Sequence, residues 1–160
     1  MSVTVQKSFS HFLSQLALTA LTARYERVDR KQIDKSQINK LIEVLDAYDV
    51  DTLLVYMARQ VARKEIGSCT ARHLMHVIES IMRENPADLK GEVRKALGYF
   101  KWFFEVFDAF AKIRPGDFKA LAGKYTNFVT CRDSVSSAPA NVYFDLLRSA
   151  IHHIASRPQG

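Results

Sequence analysis

The sequence contains no long apolar run, and this bears on where the protein works. No window approaches the roughly 18 consecutive apolar residues expected of a membrane-spanning helix. The first residues, MSVTVQKSFSHF, lack the basic region followed by an apolar stretch that is typical of a secretory signal. We therefore expect a soluble, unsecreted, cytoplasmic protein with no membrane partner.

Motifs of the common catalytic classes are also missing. The chain has no glycine-rich phosphate-binding loop, no HExxH, no GxSxG and no isolated pair of carboxylates. We therefore predict that the protein is not an enzyme, with no catalytic residues and no cofactor.

Cysteine is scarce. Cys69 and Cys131 are the only two, and they have no second pair with which to form a disulfide framework. Each is better interpreted as a small buried or half-buried residue, and a bond between the two is left open.

Histidine pairs raise the question of a metal site. His73 and His76 are three residues apart on a predicted helix, and His152 and His153 are adjacent. Cys69 lies four residues before His73 but is expected to precede that helix. Because no acidic or thiolate partner is expected on the same face, we predict no metal site.

What the sequence does contain is helical periodicity. Apolar residues recur at i, i+3 and i+4 along most of the chain, beginning with an amphipathic segment from Ser8 to Tyr25. No window alternates like a strand, and no internal repeat appears. We predict an all-α, single-domain bundle of about six to seven helices. Residues 1–132 form the bundle, 133–141 a loop or linker, and 142–160 a C-terminal helix and tail packed on it.

Helix boundaries follow from capping residues. Asp34 has Gln37 three residues on and the Ile33 and Ile38 pair around it, which is typical of a capping box with a hydrophobic staple. The other predicted boundary residues are Asp49 or Asp51 for the start of the third helix, Gly67 for its end, Ser68 or Thr70 for the fourth, and Asn85 before Pro86 for the fifth.

One predicted helix, from Val93 to Ile113, holds much of the aromatic mass. Its main apolar stripe consists of Val93, Leu97, Phe100, Phe103, Phe104, Phe107 and Phe110. The polar strip that remains is too narrow for a helix with only one covered face. We expect the other helices to pack around it, with Tyr99 and Trp102 reaching a neighbouring subunit.

The charge balance permits a polyanionic partner. Lysine and arginine number 23 against 17 acidic residues, which gives a net charge of +6. Residues 24–35 alternate in sign, so we interpret that connector as a solvated loop with internal ion pairs rather than a nucleic-acid arm.

The sharper feature is the outward face of the third helix, where Tyr56, Arg59 and Arg63 project together. Guanidinium groups bind phosphate in a bidentate manner, and a ring offers a stacking surface to a base. We predict a nucleic-acid-binding strip here. It is extended by Lys64 in the last turn and by Arg72 and His76 on the next helix. The alternative is a solvated face with its cations at the favourable end of the helix dipole.

A second basic cluster lies at the start of the aromatic helix. Arg94 and Lys95 are its main members, with Lys90 and Lys101 nearby and Glu92 and Glu105 partly offsetting them. We expect Arg94 and Lys95 to make supporting contacts to nucleic acid.

Three segments resemble a known family. They are the Ser36-Gln37-Ile38 helix start, the helix LLVYMARQVARKEIG from Leu53 to Gly67, and the later KALGYFKWFFEVFDAFAKI. Over about residues 8–113 the chain resembles the small helical subunit of type III-A (Csm-type) CRISPR effector complexes. Members often begin their first conserved helix with Thr/Ser-Ser-Gln-Ile-Arg. This chain has Lys35 and Asn39 at the two ends of that pattern.

The resemblance implies a non-catalytic subunit, working in antiviral defence, that stacks head to tail along a guide–target duplex. The function we expect is that of an RNA-binding scaffold subunit of a ribonucleoprotein, which contacts the nucleic-acid backbone. RNA, other subunits of the complex and further copies of the chain are the expected partners. The alternative is a helical protein-interaction or oligomerisation module with no nucleic-acid role.

Overall fold

The structure, a computed structural model, describes residues 2–28 and 33–156. Within these ranges it contains eight α-helices and no β-strand, which confirms the predicted all-α single domain. The helices are α1 (Ser2–Tyr25), α2 (Lys35–Ala47), α3 (Val50–Ala62), α4 (Ser68–Arg83), α5 (Leu89–Ile113), α6 (Pro115–Lys124), α7 (Thr126–Val129) and α8 (Val142–Ala155). None of them is both long and apolar enough to cross a membrane.

The helix number exceeds the predicted six to seven because the segment after Arg114 forms two helices. The chain leaves the helix at Tyr125, between α6 and α7. Residues 133–141, predicted as a loop or linker, contain a 3₁₀ turn at Val135–Ser137 whose Val135 side chain is fully buried. Residues 157–160 of the predicted tail lie outside the described residues.

Two helices, not one, form the centre of the bundle. All seven members of the α5 apolar stripe are buried, as predicted. However, α1 is equally enclosed, since residues 14–23 are all buried and α4, α5, α6, α7 and α8 contact it. The prediction of an amphipathic α1 was therefore wrong. Its polar positions tolerate burial because the Thr19 and Thr22 hydroxyls donate to main-chain carbonyls one turn earlier, at 2.7 Å each.

Two of the predicted N-caps are confirmed. The Asp34 carboxylate accepts from the Gln37 main-chain N–H at 3.1 Å, and Asp49 accepts from the Thr52 N–H at 2.7 Å. Hydrogen bonds from the Ser36 hydroxyl to Asp34, and from Thr52 to Asp49, lower the pKa of each carboxyl group below its ordinary value.

The remaining boundaries differ from the prediction. Helix α3 ends at Ala62, before Gly67, because the chain turns at Lys64, which has a φ of 61°. Helix α5 starts at Leu89 rather than after Asn85, and its cap is Asp88, which accepts from the Gly91 N–H at 2.9 Å. Asn85 has a φ of 49°, so it belongs to a turn.

The start of α4 is capped from a distance. The N-cap residue is Gly67, which has no side chain, and neither predicted cap, Ser68 or Thr70, caps the helix through its side chain. Instead, the Glu26 carboxylate accepts from the Cys69 N–H at 2.9 Å and from the Thr70 N–H at 3.0 Å. It also accepts from the Thr70 hydroxyl at 2.8 Å. A Cβ at Gly67 would lie 2.0 Å from Glu26 Oε1, so any larger residue here would displace the Glu26 carboxylate.

We predicted that residues 24–35 form a solvated loop, and this was wrong for Glu26, which binds the start of α4. It was wrong for Arg24 as well, because that guanidinium reaches Asp108 of α5 at 3.0 Å. Arg30 and Lys31, from the same predicted connector, lie outside the described residues.

The last helix is held against the first. The Ser14 hydroxyl on α1 donates to the Ala140 carbonyl at 2.7 Å and accepts from the Tyr143 N–H at 3.1 Å, at the start of α8. Arg114 donates to the Ser156 carbonyl at 2.7 Å just after the other end of α8. Helix α8 is thus positioned at both ends against the bundle.

Candidate nucleic-acid interface

The outer face of α3 presents the predicted arginine pair. Arg59 lies in the last turn of α3, and Arg63, four residues later, is the C-cap residue that follows the helix; both side chains are exposed. In the described part of the chain, neither guanidinium has an ion-pair or hydrogen-bond partner, whereas Arg24, Arg83, Arg94 and Arg148 each bind a carboxylate. We call Arg59 and Arg63 the α3 arginine pair.

The other predicted members of the α3 strip are arranged less favourably. Tyr56 is half-buried and packs against the core, so only part of its ring faces solvent. Lys64 is exposed, but it lies in the turn after α3 rather than in the helix. The stacking role predicted for Tyr56 is therefore restricted by its packing.

Arg72 and His76 do not extend the strip. Both line a cleft of about 700 Å³ between α3, α4 and residues 131–134. The α3 residues that line this cleft are Met57, Ala58 and Val61. Because an α-helix turns by about 100° per residue, the mean direction of the arginine pair is about 170° away from theirs. The predicted strip is thus two separate surfaces, since α4 packs beside α3 and does not continue its outer face.

The cleft carries charges of both signs. Arg72, Arg132 and His76 line it together with Glu79 and Asp133. Glu79 forms an ion pair with Arg83 on the same helix. The cleft is therefore less suited to a polyanion than the outer face of α3.

The cleft lies beside a disulfide bond between Cys69 and Cys131, a pairing that the sequence left open, and Cys131 is one of its lining residues. It joins the first turn of α4 to the segment after α7, with the two Cα atoms 5.6 Å apart. Cys69 lies within α4, so the prediction that it precedes the helix was wrong.

His73 lies beside the disulfide and is 2% exposed. Its Nε2 is 2.7 Å from the Phe128 carbonyl oxygen and 3.6 Å from each sulfur. Burial lowers the pKa of His73, which keeps the imidazole neutral near pH 7. Because a carbonyl only accepts, this contact requires the Nε2–H tautomer.

A second surface lies on α5. Arg94, Lys95, Tyr99 and Trp102 line a shallow groove whose floor contains Gly91 and Gly98. The structure thus brings together two residues predicted to bind nucleic acid and two predicted to reach a neighbouring subunit. We call these four residues the α5 groove.

Aromatic contacts organise the α5 groove. The Tyr99 ring makes edge-on contacts with Trp102 and with Phe9 of α1, with ring centroids 6.0 Å apart in each case. Lys95 Nζ lies 6.0 Å from the centre of the Phe9 ring. Sequence reasoning missed Phe9, because its place beside Tyr99 depends on how α1 packs on α5.

The charges of the α5 groove are partly neutralised. Arg94 Nε lies 3.1 Å from an oxygen of Asp46 on α2. Trp102, by contrast, is 67% exposed, which is unusual for the largest apolar side chain. The groove is therefore more aromatic than basic.

Comparison of the chain with family models, with curated proteins and with solved structures finds no match.

Proposed function

We propose that the chain is a non-catalytic RNA-binding scaffold subunit of a ribonucleoprotein. The observation that carries the proposal is the α3 arginine pair. Arg59 and Arg63 are exposed, one turn apart, and without a carboxylate partner in the described residues.

Unpaired arginines favour binding because they have no internal ion pair to break. Two arginines four residues apart, whose Cα atoms are about 6 Å apart along the helix axis, offer paired donors to a phosphodiester backbone. Contacts of this kind are independent of base sequence. Exposed Trp102 and neighbouring Lys95 add a stacking surface and a cation at a second place on the molecule.

The test uses a charge-reversed pair and a matched control. Arg59→Glu with Arg63→Glu should remove most of the affinity for a labelled single-stranded RNA, measured by fluorescence anisotropy. It should also reduce the slope of log K against log salt by about 1.4, since each phosphate contact contributes about 0.7.

The control is Arg83→Glu with Arg148→Glu. It changes the net charge equally, but at arginines that already bind a carboxylate on their own helix. Circular dichroism should show unchanged helicity in both variants. If both pairs weaken binding equally, only net charge matters and the assigned site is wrong.

The narrower proposal is a small subunit like that of type III-A CRISPR complexes. The segments that carry this resemblance lie mainly on α2, α3 and α5. Isolation of the native protein with a guide RNA and large repeat-binding subunits would support it. A complex without RNA would count against it.

A second function, a helical protein-interaction or oligomerisation module, is favoured by the exposure of Trp102. Tryptophan, tyrosine and arginine are the residues that most often dominate protein interfaces, and the α5 groove contains all three. Sedimentation of nucleic-acid-free protein separates the two functions. An oligomer dispersed by Trp102→Glu favours the interaction module, whereas a monomer that shifts only with RNA favours the scaffold.

A further inference from the structure

Three side chains of the kinds that bind metal ions lie together beside the cleft. Cys69 and His73 lie one turn apart on the same face of α4, and Cys131 approaches from the segment after α7. Their ligand atoms, two sulfurs and one ring nitrogen, all lie within 4.8 Å of one another.

From this arrangement we propose a redox-linked metal site. In the oxidised protein the two sulfurs form the disulfide. In the reduced protein the two thiolates and His73 Nε2 bind one thiophilic divalent cation, with Zn²⁺ as the best match to two sulfur ligands and one nitrogen ligand.

The position of the imidazole fits this role. In a tetrahedral zinc site, with Zn–S near 2.3 Å and Zn–N near 2.05 Å, the nitrogen lies about 3.5 Å from each sulfur. His73 Nε2 already lies 3.6 Å from both sulfurs. Metal binding then needs two changes: separation of the sulfurs to about 3.8 Å, the corresponding tetrahedral distance, and release of Nε2 from the Phe128 carbonyl.

The disulfide alone does not account for His73. A disulfide is apolar and needs no imidazole beside it, and a buried polar ring is costly unless it is bonded. His73 is nearly fully buried and holds its Nε2 between the two sulfurs and the Phe128 carbonyl. On metal binding the ring proton moves to Nδ1, and the bond to Phe128 is exchanged for the bond to the metal.

Three protein ligands leave a fourth position, and it faces the cleft. His73 and Cys131 both line the cleft, as do His76 and Asp133. Water completes the coordination, so the site is open on one side.

A dithiol or a phosphine can reduce the disulfide. The reductant supplies two electrons, and with two protons the disulfide becomes two thiols. Binding of M²⁺ then releases those two protons, because thiolate is the ligand. Oxidation by a peroxide removes two electrons from the two thiolates, restores the disulfide and releases the cation.

The experiment is a Co²⁺ titration of the full chain, reduced with a phosphine under argon. Reduced protein should bind one Co²⁺ and show the thiolate-to-cobalt charge-transfer band and the visible absorption of tetrahedral cobalt. Oxidised protein should show neither. Zn²⁺ should displace the cobalt, with the affinity measured against a chromophoric chelator.

Substitutions identify the ligands. His73→Ala should weaken Zn²⁺ binding at least tenfold, and Cys131→Ser should abolish the charge-transfer band of a two-thiolate site. His76→Ala is the matched control, because His76 is on the same helix and in the same cleft, and it should retain the spectrum. Equal losses from His73→Ala and His76→Ala would overturn the proposed ligand set.

Circular dichroism distinguishes loss of metal binding from unfolding of the reduced protein. If reduction lowers the helicity of the metal-free protein, addition of Zn²⁺ should restore it. Reduced protein that stays helical without binding Co²⁺, or that loses helicity and does not regain it with Zn²⁺, would refute the site.

Discussion

Reduction of the Cys69–Cys131 disulfide should destabilise the protein by about 4 kcal/mol. The bond closes a loop of 62 residues. The chain-entropy relation, −2.1 − 1.5R ln n, gives about −14 cal/mol/K for such a loop, or about 4.3 kcal/mol at 25 °C. A domain of this type is stable by about 5–15 kcal/mol, so the loss is a large part of the total.

The assay is urea unfolding followed by circular dichroism, with a metal chelator present so that no cation stabilises the reduced state. Reduction should lower the free energy of unfolding by the stated amount. It should also raise the m-value, because the unfolded chain without a cross-link exposes more surface. The unfolding entropy of 160 residues is about 0.34 kcal/mol/K, so the melting temperature should fall by about 13 °C.

The control is the double variant Cys69→Ala with Cys131→Ala, which reductant should not affect. Reduced wild type and the double variant should have similar stability. If the oxidised and reduced proteins differ by less than about 1 kcal/mol, the loop-entropy reasoning is refuted for this chain.

Three further predictions concern the caps and the core. Glu26→Ala should lower the free energy of unfolding by about 2 kcal/mol because three hydrogen-bond donors lose their acceptor. Gly67→Ala should displace the same carboxylate, so the losses from the two substitutions should not add. Additive losses in a double-mutant cycle would contradict the role of Glu26 as the cap of α4. Because the pKa values of Asp34 and Asp49 are lowered, the stabilisation by these carboxylates is complete above the ordinary value of 3.8 and is lost as the pH falls through the folded-state pKa. Replacing both residues by Asn should therefore flatten the dependence of urea stability on pH in that acid range. An unchanged dependence would contradict the prediction. Phe100→Ala should cost about 3–5 kcal/mol in the same urea assay because its ring is fully buried, and a loss below about 1 kcal/mol would show that the core collapses around the gap.

Features that depend on short stretches of chain could be predicted from the sequence. The Asp34 and Asp49 caps require only a carboxylate three residues before an N–H, and the α5 stripe requires only helical spacing. Both are properties of one segment, and both are confirmed.

Features that depend on packing between segments could not be predicted. The Glu26 cap of α4 joins residues more than 40 positions apart, and no local pattern marks such an acceptor. The separation of Arg72 from the α3 arginine pair depends on the placement of α4 beside α3. Nor does spacing alone show that Cys69 and Cys131 are partners.

The central position of α1 has a consequence for synthesis. Helix α1 leaves the ribosome before the helices that enclose it, and its Ser14 contact with Ala140 spans 126 residues. Until α8 has emerged, the flank of α1 that it covers stays exposed to other chains and to chaperones. Contacts of such long range slow folding, so the bundle closes late and as one unit rather than growing helix by helix.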